Sequence, residues 1–414
     1  MKNNVIKNNK MNILKKPELL APAGDLERLK WAIRYGADAV YIGGSLYSLR
    51  ANATNFTLEE IKQAVEYTHK HGKKIYVTVN IALHNIELDL IKDYLKQLDK
   101  LKVDAIIISD PAIIELTKDL SLEIHLSTQQ STLNYEAIQF WKNLGVSRIV
   151  LGREVTKDEI KEIKKHVDIE LECFIHGSMC ASYSGRCVLS NFLTTRDANR
   201  GGCSQICRWD FDLLDQDKKN IKGEKPFTFC TKDLSMLKYL TEMINLGITS
   251  FKIEGRMRSI YYIATVINVY RQAIDNYFNQ KYEYNPKHEH ILRNVANRDS
   301  IPQFFDGNYG ASVQYYNGRE EVSNQDFLGI VLNYENGIAT IEQRNYFKKG
   351  DEVEIFGPNK PLQTIVLKEI YDEDNNPLEV VRHPKQIVKI PLEIKAYKGD
   401  IIQVKKSVDK NKKM

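Results

Sequence analysis

The sequence predicts an α/β protein: a (β/α)8 barrel of the TIM type with a cysteine-rich insertion after its seventh strand, followed by a small C-terminal antiparallel β-barrel. Three observations carry this. Eight short runs rich in β-branched residues alternate with helical patterns between residues 18 and 278, the rhythm of parallel βα units. Five of the six cysteines fall within residues 172–211. Beyond Asp306 the helical period gives way to short alternating runs separated by turn signals, as in small closed antiparallel sheets.

The elements justify themselves in order. Residues 18–24, ELLAPAG, form a buried strand ending in a Pro/Gly turn, and Asp25 caps the helix that follows. AVYIGG at 39–44 is the second strand, and Thr57 with Glu60 makes a capping box for a helix over 58–71. Strands three to six are KIYVTVN at 74–80, AIIISD at 105–110, EIHLSTQ at 123–129 and RIVLGRE at 148–154. Helices are expected near 86–101, 111–119 and 133–144, and Thr156 with Glu159 caps another to about His166. IELECFIHG at 169–177 is strand seven. A helix is expected near 233–246, SFKIEGR at 250–256 is strand eight, and a helix then runs to Phe278. No G-x-G-x-x-G follows the first strand, which weighs against an open dinucleotide-binding sheet. The expected divisions are a basic tail at 1–16, a barrel at 17–282 with its cysteine-rich loop at 178–230, a linker at 283–305, a small β-barrel at 306–406 and a basic tail at 407–414.

The 414 residues are 43% hydrophobic and 27% charged, an ordinary globular balance. No stretch reads as a membrane span, and the basic N-terminus lacks the apolar core of a secretory signal. A cytoplasmic protein is expected. Disulfides are rare there, which turns the cysteines towards metal, cluster or redox roles. The net charge of +5 is carried by the tails, whose lysines outweigh it, so the body between them is net acidic at −4. A nucleic-acid partner would meet a local basic surface: Arg256–Arg258, Arg196–Arg200 or the C-terminal lysines.

Chemistry on such barrels sits at the C-terminal ends of strands. Those ends carry Asn80, Asp110, Gln129, Arg153, Glu154, His176, Glu254 and Arg256. Each also has a plain structural reading: Asp110 as a helix cap, Arg153 and Glu154 as rim ion pairs, His176 as a histidine packed beneath the loop. Lys252 and Glu254 share one face of strand eight by period two; they serve either a substrate or an interior ion pair. Arg153, Lys252 and Arg256 are candidate cations for a dicarboxylate. Glu172, His176 or Glu254 are candidate proton carriers. Tyr183 or Trp209 could stack on a base, or Trp209 could pack the loop onto the barrel.

The cysteines follow the pattern Cys180-x6-Cys187-x15-Cys203-x3-Cys207 among glycines. This is no standard zinc-finger spacing, and four thiolates suit an iron–sulfur cluster or an all-cysteine zinc site. Cys173 lies in an apolar strand and reads as core; Cys230 is an alternative fourth ligand.

ECFIHGSMCASYSGRCVLS resembles the signature of the collagenase-like peptidase family, peptidase family U32, on Glu172, Phe174, Gly177, Ser178, Met179, Cys180, Gly185, Cys187, Leu189 and Ser190. ELLAPAGDLERLKWAIRYGADAVYIGG, RDANRGGCSQICRWDF and SFKIEGRMRSIYYIATVINVYRQAIDNY resemble further blocks of it, and the C-terminal β region resembles the small barrel of its longer members. The resemblance extends to the bacterial tRNA hydroxylation branch. It implies an enzyme forming 5-hydroxyuridine at the wobble position of tRNA without molecular oxygen, with prephenate as hydroxyl source. It also implies an iron–sulfur cluster, of the four-iron four-sulfur kind, on Cys180, Cys187, Cys203 and Cys207. The implied partners are tRNA, a small dicarboxylate and iron–sulfur assembly proteins, with no membrane. The family name offers a peptidase as the alternative, yet no H-E-x-x-H helix or G-x-S-x-G elbow is present. A cysteine protease would need a thiolate–histidine pair, for which only His176 and Cys180 are near in sequence. A non-catalytic RNA-binding or Fe–S protein is the third reading.

Overall fold

The computed structural model describes residues 14–49, 54–221, 226–296, 298–307, 310–316, 327–358, 360 and 362–405. The N-terminal tail through residue 13 and the C-terminal lysines beyond Lys405 lie outside the described residues. No helix among the described residues is long and apolar enough to cross a membrane.

Seven parallel strands follow one another: β1 (Glu18–Pro22), β2 (Ala39–Gly43), β3 (Lys74–Val79), β4 (Ala105–Ile108), β5 (Glu123–Leu126), β6 (Arg148–Val150) and β7 (Glu170–Gly177). The helices between them are α1 (Leu26–Arg34), α2 (Leu58–Lys70), α3 (Leu88–Lys100), α4 (Ala112–Leu116), α5 (Tyr135–Asn143) and α6 (Lys157–His166). The predicted caps are all made: Asp25 accepts from the Arg28 amide, and Thr57–Glu60 and Thr156–Glu159 form reciprocal boxes. After the cysteine loop, which holds α7 (Leu189–Thr194), come β8 (Asp233–Ser235), α8 (Leu240–Asn245), β9 (Ser250–Ile253) and α9 (Ile260–Phe278). β9 pairs in parallel with both β1 and β7, so the eight-stranded barrel closes. Period two then divides the side chains. Leu20, Ala39, Tyr41, Tyr76, Ala105 and Ile107 pack together in one small cluster. Their strand neighbours, among them Leu19, Val40, Ile42, Ile75 and Ile106, join the large core shared with the helices.

Two stretches differ from expectation. The helix predicted from residue 233 begins as β8, which runs antiparallel to the end of β7 through His176↔Ser235 and Gly177↔Leu234. A strand edge needing partners takes up residues 233–235, and the helix starts later, at Leu240. The predicted linker is also structured. α10 (Pro286–Val295), capped by Asn285 with Pro at its first turn, packs against α9, and β10 (Ser300–Ile301) pairs with β8. Gln303–Asp306 and Gly310–Val313 each form a single turn, and the Tyr315 amide donates to the Cys230 carbonyl, 2.9 Å. Among the described residues the C-terminal sheet begins at Phe327.

That sheet contains β11 (Phe327–Glu335), β12 (Ile338–Gln343), β14 (Glu352–Phe356), β15 (Gln363–Val366), β17 (Ile387–Pro391) and β18 (Ile401–Val404) in the antiparallel order β15-β14-β18-β11-β12-β17. β13 (Phe347–Lys348) and β16 (Val380–Val381) form a separate pair. The module is a half-barrel around Val331, Ile341, Val353, Val388 and Ile390. It docks on the helical side of the large barrel. Tyr35 donates to the Gly399 carbonyl, 2.8 Å, Tyr261 to Gln403 Oε1, 2.8 Å, and Tyr261 stacks on Phe327.

Candidate active site at the barrel mouth

A cavity of about 180 Å³ opens at the C-terminal ends of the strands. Its walls include Tyr41, Thr78, Asn80, Gln129, Arg153, Phe174, Lys252, Glu254 and Arg256 from the barrel, and Cys180, Cys187, Cys203 and Cys207 from the loop. With roughly 10–15 Å³ needed per water, it has room for a planar base or a small acid, not for a folded protein segment.

The cavity stands on a buried polar network. Glu172, fully buried, accepts from Lys252 Nζ at 2.6 Å and from Arg148 Nη1 at 3.2 Å. Arg148 also pairs with Glu18 at 2.6 Å and Glu170 at 2.7 Å, and Glu18 accepts from Tyr76 and Ser250. Burial pushes the Glu172 carboxyl up, but Lys252 and Arg148 outweigh it and hold it below the usual carboxylate range. Of the two readings of Lys252, an interior ion pair is made, and it runs across strands to Glu172 on β7. Its ammonium lies 4.6 Å from the Tyr41 ring centre and 5.5 Å from that of Phe174.

Glu254 accepts from Tyr41 at 3.4 Å and lies 4.0 Å from Arg153, whose guanidinium covers the Phe174 ring at 3.9 Å. Arg256 does something else. Its Nη1 donates to Ser48 and Thr78, and its Nη2 to the Leu49 carbonyl and Asn55, all within 3.0 Å. Those bonds make it the clamp of the β2–α2 loop, not a free cation for a carboxylate. The clamp requires Gly43: a Cβ there would sit 2.1 Å from Arg256 Nη1.

His176 does not line the cavity. It is buried between the Tyr262 and Tyr270 rings, its Nδ1 has no hydrogen-bond partner, and burial with nearby Arg258 drives its pKa down to about 3. The candidate proton carrier is thus a neutral packing residue. Glu172, locked between two cations, is a positioning residue. Asp110 caps α4 through the Ala112 amide, as its plain reading has it.

The loop is tied down by polar contacts. Glu154 takes the Ser184 amide and hydroxyl, fixing the turn between Cys180 and Cys187. Arg200 grips Glu87 with two bonds, 2.8 and 2.6 Å, and also donates to the Ala82 carbonyl; this pulls Glu87 down to about 2. Arg200 is therefore a tether of the loop and not an exposed RNA contact, whereas Arg196 is exposed. At the other end, Gly177 has φ +112° as the chain leaves β7. Asp233 on β8 holds Arg298, which also donates to Ser178. Neither Arg298 nor Arg148 stands out in the sequence, because neither sits at a strand's C-terminal end, where barrel chemistry is expected.

The four loop cysteines line the same cavity. Burial pushes the Cys180 thiol up and Cys207 to about 11, with their cysteine neighbours adding to it. Cys230 is buried behind Cys207, linked through Thr228, and Cys173 is core. Among the described residues no group of three donors is drawn in to metal-binding spacing. The donor set itself, four free thiols lining one cavity, suits a thiolate-held cluster.

The comparisons with known proteins agree with this architecture. Residues 24–315 match the model of peptidase family U32, and residues 323–403 match that of the peptidase family U32 C-terminal domain. The chain is 51% identical over 409 residues to tRNA hydroxylation protein P1 of Bacillus subtilis (strain 168), covering 96% of this chain and 97% of that one. It is 35% identical over 398 residues to tRNA hydroxylation protein P of Haemophilus influenzae, covering 83% and 86%. It is also 31% identical over 410 residues to a collagenase of Porphyromonas gingivalis, covering 94% of each. Barrel, cysteine loop and C-terminal half-barrel all fall within these matches, and the chain belongs to peptidase family U32.

Proposed function

We propose that this chain is an RNA-modifying enzyme of the cytoplasm that hydroxylates the wobble uridine of tRNA to 5-hydroxyuridine, without molecular oxygen. The observation that carries the reading is the shared cavity: cations and thiols face one space of small-molecule size, in a chain alike over nearly its whole length to tRNA hydroxylation proteins. A uridine must leave its stack to reach it, as bases do in enzymes that act on them. Arg153 is the fork for a carboxylate of the oxygen donor, a dicarboxylate such as prephenate, and Lys252 adds a second positive charge at the floor. To Glu254, beside Arg153 and Tyr41, we assign the uptake of the proton leaving C5. Glu172 keeps Lys252 upright, and Arg256 holds the β2–α2 loop over the site. Cys180, Cys187, Cys203 and Cys207 are the residues that would hold an iron–sulfur cluster, with Cys230 the reserve. When bound, such a cluster supplies an electron relay beside the reacting base.

The peptidase reading has a named relative in its favour. Its chemistry is not supported: His176 does not line the cavity, and among the described residues no histidine lies there beside Cys180. The test is an anaerobic assay of purified protein with unmodified tRNA and prephenate. Hydroxylated uridine is expected, and Arg153→Ala is expected to raise the KM for the dicarboxylate more than it lowers tRNA binding. Cleavage of gelatin with no change in tRNA would favour the peptidase instead.

A further inference from the structure

The cavity accounts for one nucleotide, and an RNA loop brings its neighbours with it. Beside the mouth, α7 exposes an apolar face that the fold does not use. Phe192 is 81% exposed, Val188 59% and Leu193 52%. The Phe192 amide donates to the Val188 carbonyl at 3.1 Å, so these two side chains stand one turn apart on one face. The opposite face anchors the helix. Ser190 is buried, lines the cavity and accepts from the Ser204 amide at 3.1 Å, and Thr194 meets Ser204 at 2.9 Å. A phenyl ring held out on a pinned helix, at the rim of a reaction cavity, is costly unless something covers it.

Charge identifies what covers it. Between residues 183 and 209 there are four arginines against one aspartate, with no lysine or glutamate, in a chain whose body is otherwise net acidic. Arg200 is occupied by Glu87, but Arg196 is exposed, and Arg186 rests on two neutral acceptors, the Gln129 carbonyl and Gln130 Oε1. Arg186 and Val188 also border a groove that runs from Cys187 past Gln130 to Pro111. Aromatic rings among arginines are the surface on which unstacked bases and their phosphates are held.

We infer that the α7 face is the docking platform for single-stranded RNA: a base flanking the reacting uridine stacks on Phe192 over Val188, and Arg186 and Arg196 take the adjoining phosphates. This rests on the RNA reading above and adds the residues that seat the loop.

The experiment uses the full-length protein and a short RNA hairpin with a uridine in its loop, flanked by the fluorescent base 2-aminopurine. Wild type is expected to bind the hairpin at low salt and to quench the probe. Phe192→Ala is expected to weaken binding roughly tenfold and abolish quenching, with the salt dependence kept, since one stacked base is lost and no phosphate contact. Phe192→Trp should bind as wild type. Arg186→Glu with Arg196→Glu should flatten the salt dependence instead. The exposed position of Phe192 leaves folding intact, checked by an unchanged Tm. Wild-type-like binding and quenching by Phe192→Ala would overturn the platform while leaving the RNA reading standing. A wild type that binds no hairpin at low salt would overturn both. Sedimentation that shows a wild-type dimer and a Phe192→Ala monomer would assign the face to a second copy and overturn the inference.

Discussion

Glu172 shows how far a single residue can be read. It is legible in the sequence as part of a motif and as a carboxylate in a strand. Its partners are not, because period two along β9 points to Glu254 while the barrel's curvature brings Lys252 and Arg148 to Glu172 instead. Removing it should leave Lys252 buried without its carboxylate, while Arg148 keeps Glu18 and Glu170. Glu172→Ala is expected to lower unfolding free energy by about 3–5 kcal/mol, the cost of breaking a buried pair from one side, as measured by denaturant titration; a loss within error of zero would show that the network is solvated. His176 gives a pH prediction of definite sign. Its folded pKa near 3 lies below its ordinary 6.5, so the unfolded chain takes up the proton first as pH falls. Its contribution is fully present above about 6.5 and is lost progressively towards 3. Glu172, held low, acts in the same direction at the acid end. Urea midpoints should therefore fall through this window, and His176→Phe should flatten the fall; an unaltered pH profile in that variant would contradict the burial argument.

At the scale of elements, the caps and the parallel strands are legible because local chemistry and burial point the same way at Asp25, Thr57 and Thr156. β8 is not: residues 233–246 read as helix, and only the open edge of β7, brought there by the fold, makes their start a strand. The cysteine loop is legible as a unit, but its fastenings at Glu87 and Glu154 lie far away in the chain. Two predictions belong here. Arg200→Ala should free the loop from Glu87, so limited proteolysis should cut within 196–205 sooner than in the wild type; an unchanged cutting pattern would show that Glu154 and Asp233 suffice. Protein purified without oxygen should be brown, and Cys180→Ala or Cys187→Ala should bleach it. Stoichiometric zinc without iron in the wild type would overturn the cluster assignment.

Over the whole molecule, alternating strands and helices announce the closed barrel, and turn-spaced runs announce the antiparallel module. How the two meet is hidden, since Tyr35 and Tyr261 read as ordinary helix residues until Gly399 and Gln403 arrive beside them. The site likewise belongs to no single stretch. Arg153, Lys252 and Glu254 come from two strand ends, and the thiols from an insertion between them. That convergence underlies the central claim, that one cavity presents an RNA base to cations and thiols together. Its most direct test is nucleoside mass spectrometry of tRNA from cells lacking this protein, complemented with wild type, Arg153→Ala or Cys180→Ala. The account predicts that a uridine derivative carrying one added oxygen disappears on deletion, returns with wild type, and fails to return with either variant. An unchanged nucleoside profile in the deletion strain would contradict it.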